Sequence, residues 1–507
     1  MVQQPLQFNK QPSAQEIQPV LQLLNAGNLV GAESAATKLV TVYPNTFILH
    51  HVLALAFDGQ AKFLQAAKSY AAALAIQPNT PNLLFNQGIA LTHIGELDEA
   101  IASYQKAIAL KPTFFEAHGN LGTVLQMQGK LNEAIACYQR GLKINPQDAR
   151  GHFNLGTALR DNGQLDEAVA SYQKAIAIFP NYTDAYNNLG ETLRDQGNMD
   201  AAISAYQKAL SLNPQHPRAN YNMAEFLYLA KRYDEALPFF KISQFDDWQA
   251  RSLYCLYKAE RFEDFKNTLD NLAATERHTS PFISTLATHY AINFGVENTY
   301  NFCKNAFDFV YQKSIPVLAT PNSILLADLL HDINNTEIAE RKQGRLHYGT
   351  QSAGNLFKRP EASFQTLAAL IKQAFLDYKQ TYVNANCELI QSFPSHLEFT
   401  SSWYVKMRQG GHLDPHIHEI GWISGAVYLA MPTQKKQANE GAFEYGLHGD
   451  TYPILPPLNS ASFKIESVMP NVGDIVLFPS SLFHRTVPFS GDESRICIAF
   501  DLKPANV

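Results

Sequence analysis

A 34-residue period runs through the first half of the chain and leaves it little choice of architecture. Pro44, Pro78, Pro112, Pro146, Pro180 and Pro214 recur at that spacing. So do Gly95, Gly129, Gly163 and Gly197, and Tyr70, Tyr104, Tyr138, Tyr172 and Tyr206. Gly88, Gly122, Gly156 and Gly190 keep one small position, and Ala100, Ala134, Ala168, Ala202 and Ala236 another. The spacing predicts two amphipathic helices per unit, joined at a Gly-x-Leu/Met turn and closed by a proline where a helix cannot continue. A single unit cannot bury its apolar face, so neighbours stack into a superhelix. Units fall at about 13–46, 47–80, 81–114, 115–148, 149–182, 183–216 and 217–250, the first two and the last degenerate, which suits capping positions.

This is the pattern of the tetratricopeptide repeat. Traces persist in Arg261-Phe262-Glu263-Asp264-Phe265, which places the repeat segment at 13–278. Asn86, Asn120, Asn154, Asn188 and Asn222 take the same position of the first helix in five successive units. Asparagine is a poor helix-interior residue because its side chain competes for backbone groups, and packing does not call for it here. A row of amides offers both donors and acceptors to the backbone of an extended peptide. It resembles the asparagine ladder in the repeats of O-linked N-acetylglucosamine transferases, which holds substrate peptide backbone. That resemblance implies a protein or peptide partner on the concave face of the repeats. The alternative is a solvated polar face copied along with each repeat. His118 and His152, two positions earlier, are expected to pack against the neighbouring unit.

Composition narrows the class. At 46% hydrophobic and 17% charged the chain is globular rather than disordered. A net charge of -6 and the absence of Lys/Arg runs argue against nucleic-acid or membrane-surface binding. Met1 to Gln18 is polar, without the apolar core of a signal, and apolar runs are too short for a membrane span. Cys137, Cys255, Cys303, Cys387 and Cys497 are scattered, without C-x-x-C spacing. They fit reduced thiols and a cytoplasmic setting.

From about residue 279 the period stops. Thr285–Phe294 and Ser363–Asn384 read as helices. Short strand-like runs follow at Ser401–Arg408, Trp422–Ala430, Gly441–Tyr445, Ser462–Val468, Asp474–Phe478 and Ser494–Leu502, a sandwich or jelly-roll pattern. Thr433–Glu440 reads as a surface loop. The chemistry gathers in two stretches. In the first, Gly410-Gly411-His412-Leu413-Asp414-Pro415-His416-Ile417-His418-Glu419-Ile420-Gly421-Trp422, residues two apart share a face when extended, so His416 and His418 can meet one metal. His412 and Asp414 form a competing pair that would supply a carboxylate. In the second, Phe478-Pro479-Ser480-Ser481-Leu482-Phe483-His484, the histidine can complete a three-ligand face with positions left open. Arg495, eleven residues on, can grip a carboxylate in two-point fashion, or pair at the surface with Asp492 or Glu493. Trp403 and Trp422 read as core aromatics.

Residues 401–503 resemble the 2-oxoglutarate/iron(II) oxygenases that follow tetratricopeptide repeats in bacterial proteins. The resemblance rests on Ser402-Trp403, Gly410-Gly411, His416-x-His418, Gly421-Trp422-Ile423-Ser424, Phe478-Pro479-Ser480 with His484, and Arg495 leading into Ala499-Phe500-Asp501. Asn301-Phe302-Cys303 and Gly349-Thr350-Gln351 resemble stretches upstream of that domain. It implies a multidomain chain: an all-α repeat superhelix, then at 279–507 a double-stranded β-helix (jelly-roll) domain with flanking helices and a β core at about 401–503. It further implies Fe(II) held by His416, His418 and His484, 2-oxoglutarate anchored by Arg495, and a dioxygenase, a hydroxylase of a recruited protein or peptide. Two positions depart from the family pattern. A histidine stands where the usual His-x-Asp/Glu has its carboxylate, and Cys497 stands where many relatives carry serine. They leave open an inactive jelly roll on a repeat scaffold, and a three-His iron oxygenase that does not use 2-oxoglutarate.

Overall fold

The structure is a computed structural model describing residues 11–504 apart from 246, 336, 337, 339, 342, 343, 394–396, 420 and 450. Ile420 of the first site motif and the first ten residues of the polar N-terminal stretch therefore lie outside the described residues. The chain divides into two compact units, Met1–Phe226 and Leu227–Val507.

The first unit is a stack of helical hairpins, one per 34-residue period. The pairs are Ala14–Asn25 with Leu29–Val42, Phe47–Gly59 with Phe63–Ile76, Pro81–His93 with Leu97–Leu110, Phe115–Met127 with Leu131–Ile144, Ala149–Asp161 with Leu165–Ile178, and Thr183–Asp195 with Met199–Leu212. Gly95, Gly129, Gly163 and Gly197 stop the first helix of their pairs with φ between 75° and 82°, a left-handed turn that a side chain would strain. The small position has an equally concrete cause. Tyr104 and Tyr206 are 1% exposed, and a Cβ on Gly88 or Gly190 would lie 2.6 Å from their ring carbons. With Gly122 under Tyr138 and Gly156 under Tyr172, four of the hairpins thus close by sliding a tyrosine ring over a bare backbone. His118 and His152 are buried and meet the carbonyls of Pro112 and Pro146 at 3.3 and 3.1 Å. They tie each unit to the proline that closes the one before, as expected.

The second unit begins with helices Tyr233–Ser243, Trp248–Lys258, Phe262–Thr275 and Pro281–Phe294. The repeat trace at 261–265 opens the third of them, with Arg261 at its N-cap. Among the described residues ten strands then build one antiparallel curled sheet, the jelly roll. They are β1 (Tyr311–Ser314), β2 (Glu340–Arg341), β3 (Leu346–Ser352), β4 (Leu397–His416), β5 (Ile423–Ala430), β6 (Phe443–Gly446), β7 (Ile465–Val468), β8 (Asp474–Pro479), β9 (Phe483–Thr486) and β10 (Arg495–Pro504). The strand order is β1-β8-β5-β10-β4-β9-β6-β7, with β3 also on β4 and β2 on β3. Helix Ala362–Thr381 packs on the outer side of the sheet, where its Phe375 ring meets Phe500 of β10 at 6.1 Å. Phe500 faces that helix, and its neighbours Ala499 and Asp501 line the interior cavity.

Candidate metal centre

β4 and β9 run side by side, and His416 stands directly opposite His484 in their register. Leu413 pairs with Thr486 in the same ladder, so three steps on β4 match two on β9. This irregularity is a β-bulge, and it re-aims the chain. Simple alternation would point His416 away from the side that Leu413 faces. With the bulge, both line the cavity, and His418 joins them past the strand end.

The three rings cluster tightly. Centroids are 4.3 Å apart for His416 and His484, 4.8 Å for His418 and His484, and 5.3 Å for His416 and His418. One ligand nitrogen from each lies within 4.8 Å of the other two. Each Nδ1 already faces an oxygen. That of His416 meets Asp414 O at 2.8 Å, that of His484 meets Leu482 O at 3.3 Å, and that of His418 meets the carboxylate of Asp501. Such acceptors put the proton on Nδ1 and leave the Nε2 lone pair for a metal. Burial, reinforced by His418, pushes the His416 pKa down to about 3. Burial, then His416 and His418, puts His484 well below the usual histidine range. Both rings are therefore neutral at neutral pH, the form that binds metal.

Asp501 escaped the reading of single motifs because its partners come from two other strands. In the ladders it lies opposite Ser401 on β4 and Ser424 on β5. Both hydroxyls donate to it, at 2.8 and 2.7 Å, and Ser424 also meets Ser480 at 2.7 Å. Burial raises the pKa of this carboxyl, but the His418 ring and the two serines outweigh it, so it sits below the ordinary range. The available signal was a run of polar residues, Ser401, Ser424 and Asp501, inside otherwise apolar strands.

Asp414, the rival ligand, is not in this cluster. It faces His347 and His412 instead. Trp422 is a core aromatic, with its Nε1 donating to Leu389 O at 3.0 Å. Trp403 departs from the core expectation. Ser401, Trp403 and Val405 alternate on the inward face of β4 and line the cavity, with the Trp403 ring 5.7 Å from that of His418.

Arg495 opens β10 on the same face as Asp501 and is 2% exposed, which excludes the surface ion pair considered for it. Glu493 is engaged with Thr433 instead. The Arg495 Nε donates to Gly441 O at 3.2 Å, its plane lies over the Tyr428 ring at 5.0 Å, and the Cys497 sulfur is 3.7 Å away. Cys497, the departure from the family pattern, is thus a soft neighbour of the guanidinium. Among the described residues no carboxylate pairs with this buried cation. It lines the same cavity of ≈ 480 Å³ as the three histidines, a volume suited to a small ligand. Arg345 lines the cavity too, from an exposed position.

Of the asparagine row, Asn86, Asn120, Asn154 and Asn188 are half-buried at equivalent places on their helices. Asn222 differs. It is buried, and its amide donates to Asn187 Oδ1 and to Glu191 Oε1, both at 2.9 Å.

Comparison with known proteins bears on both units. Residues 401–501 match the family model described as "Putative 2OG-Fe(II) oxygenase". Residues 147–215 and 187–250 match models described as tetratricopeptide repeat, and 90–129 and 127–160 one described as TPR repeat. Among curated proteins none matches the chain. Among solved structures, one of MamA is 28% identical, covering 32% of this chain and 95% of that one, with a TM-score of 0.31. YrrB, described as "a TPR protein with an unusual peptide-binding site", is 24% identical, covering 37% and 97%, TM-score 0.33. The C-terminal part of a TPR repeat-containing protein from Cytophaga hutchinsonii is 18% identical, covering 46% and 98%, TM-score 0.40. No described helix is long and apolar enough to cross a membrane.

Proposed function

We propose that this chain, which joins tetratricopeptide repeats to a domain of the 2OG-Fe(II) oxygenase family, is an iron(II)- and 2-oxoglutarate-dependent dioxygenase that hydroxylates a protein or peptide recruited by its repeats. In this reading His416, His418 and His484 hold the metal and Arg495 takes the distal carboxylate of 2-oxoglutarate. Asn86, Asn120, Asn154 and Asn188 grip the backbone of the recruited chain. Asn222, whose amide protons are already used, buttresses the row from its end. The repeat-derived segment extends to residue 278 and the oxygenase-like domain runs from 279 to 507. The five free, buried cysteines suit a reducing, cytoplasmic setting.

One observation carries the reading. Three imidazoles with their Nδ1 atoms tied back share a cavity with a buried guanidinium that, among the described residues, no carboxylate neutralises. A cation site and an anion site in one pocket are what a metal-chelating keto-diacid requires. When bound, iron and 2-oxoglutarate supply oxygen insertion coupled to decarboxylation of the diacid to succinate. The protein's own part is positional. Backbone oxygens fix the His416 and His484 rings, and Asp501 fixes that of His418. Arg495 sets the cosubstrate's orientation through its planar fork. Trp403, Phe443 and Phe478 wall the cavity with apolar surface and limit water.

The absence of a carboxylate from the first ligand shell is compensated one bond further out. The Asp501 charge acts on the His418 Nδ1 and strengthens the ring's Nε2 as a donor to a metal. A buried guanidinium in the same cavity as the three imidazoles is what the cosubstrate-dependent reading requires, and it favours that reading over a three-His iron enzyme without 2-oxoglutarate. The test is iron-loaded full chain with 2-oxoglutarate and a lysate peptide pool. Succinate release together with a one-oxygen mass gain on particular peptides is expected. No succinate, together with no visible charge-transfer band on anaerobic titration of iron(II) with 2-oxoglutarate, would overturn the proposal.

A further inference from the structure

Short of the bulge in β4, a second set of metal-type donors faces away from the cavity. His347 of β3 stands directly opposite His412 of β4. Their rings stack at 4.5 Å with planes 15° apart. Asp414, two residues beyond His412 and so on the same face of the strand, brings Oδ2 to 3.0 Å from His347 Nε2 and Oδ1 to 4.0 Å from His412 Nε2. One ligand atom from each of the three lies within 4.8 Å of the others. None of the three lines the cavity that holds His416, His418 and His484.

The geometry is more than an ion pair needs. The Asp414 carboxylate already meets His347 at 3.0 Å, so pairing it does not call for the stacked His412 ring. The His412 Nδ1 faces Gly410 O at 2.9 Å, which places the proton there. Its Nε2 lies 4.0 Å from a carboxylate oxygen of Asp414, too far for a hydrogen bond. A cation between them would give both atoms a partner. Zinc ligands at 2.0–2.2 Å in a tetrahedron are about 3.4 Å apart, and the 3.0 and 4.0 Å separations bracket that edge. Side-chain exposures of 42% for His347, 28% for His412 and 43% for Asp414 leave the fourth direction open to solvent.

We propose that His347, His412 and Asp414 form a second divalent-cation site, with two imidazoles and one carboxylate as donors, suited to Zn2+. It does not rest on the oxygenase reading. The ion would pin β3 to β4 beside the cavity, since the Asp414 amide donates to Arg345 O at 3.0 Å and Arg345 lines that cavity.

The experiment is Zn2+ titration of the chelator-stripped full chain by calorimetry, with bound metal counted by elemental analysis and folding checked by circular dichroism. The chain carrying His347→Gln and Asp414→Asn is expected to bind one equivalent fewer than the unsubstituted chain. The chain carrying His416→Gln and His484→Gln is expected to keep one equivalent, which separates this site from the first. The conservative Asp414→Asn chain alone serves if a double variant does not fold, with at least a tenfold loss of Zn2+ affinity at one site expected. Undiminished stoichiometry and affinity in the His347 and Asp414 variants would overturn the proposal, whatever the iron centre does.

Discussion

In the proposed iron site Asp501 is not a ligand but acts through one, His418. Its carboxylate fixes the His418 ring and lends it negative charge, and two serines keep it ionised in a buried place. Asp501→Asn preserves the shape and removes the charge. Metal affinity is expected to fall roughly 10–100-fold, as for other partners of ligating histidines, and titration with Co2+ as a spectroscopic substitute reads it directly. Arg495 is the complementary case. Arg495→Met keeps bulk over the Tyr428 ring and deletes the fork. The apparent affinity for 2-oxoglutarate is expected to drop roughly 100-fold, the value of one or two charge-assisted hydrogen bonds, with metal binding unchanged. A parallel loss of both would mean that the guanidinium holds the barrel together rather than the cosubstrate.

At the scale of elements, the site is held by helices that a motif search does not see. Thr285, on helix Pro281–Phe294, donates to Ser481 O at 2.7 Å, three residues before His484. Arg251, on helix Trp248–Lys258, bridges to Glu419 beside His418 at 3.0 Å. Thr285→Val leaves the Ser481 carbonyl buried without that donor and should destabilise the second unit by about 1–2 kcal/mol, visible as a lower denaturation midpoint. In the repeats, Glu191 is a buried carboxylate met by Arg160 at 2.5 Å and by Asn187 and Asn222. Burial raises its pKa, but Asn222, Arg160 and Asn187 together bring it below 4.5, its ordinary value. A depressed folded-state pKa stabilises above the unfolded value and is lost as pH falls through the folded one. The unsubstituted chain should therefore lose stability relative to Glu191→Gln as pH drops below about 4.5, measured as the difference between their melting temperatures. The helical hairpins were legible because one register repeats and each copy corroborates the next. The strands carrying long alternating runs were legible too. β9 was not, because four residues after a Phe-Pro-Ser turn show no period. β3 was not, because Tyr348 takes a φ of 51° beside Gly349 and breaks the alternation. β1 was not, because it is a short, mostly exposed polar strand at the sheet edge. In the site, His416, His418 and His484 could be grouped from spacing and resemblance. His347 could not, since its partner on β4 is brought opposite only by folding.

For the whole molecule, the proposal makes a division of labour that kinetics can separate. If the repeats only scaffold an assembly, the asparagine row has no bearing on turnover. If they hold the substrate backbone, the row sets affinity for long substrates and leaves the chemistry of the barrel alone. The variant carrying Asn120→Ala, Asn154→Ala and Asn188→Ala removes three half-buried amides without touching the tyrosine–glycine contacts that close each hairpin. At about 1 kcal/mol for each amide's net hydrogen bonding, kcat/KM for a protein substrate should fall roughly 100-fold, almost all of it in KM. Turnover of 2-oxoglutarate without substrate, and of a short peptide spanning only the oxidised residue, should not change. Equal losses on long and short substrates would place recognition in the barrel, where Arg345 and Trp403 line the cavity, and reduce the amide row to a solvated face. A loss confined to the long substrate ties the two halves of the chain into one enzyme, because only a substrate long enough to engage both can register the deletion of amides that lie outside the catalytic cavity.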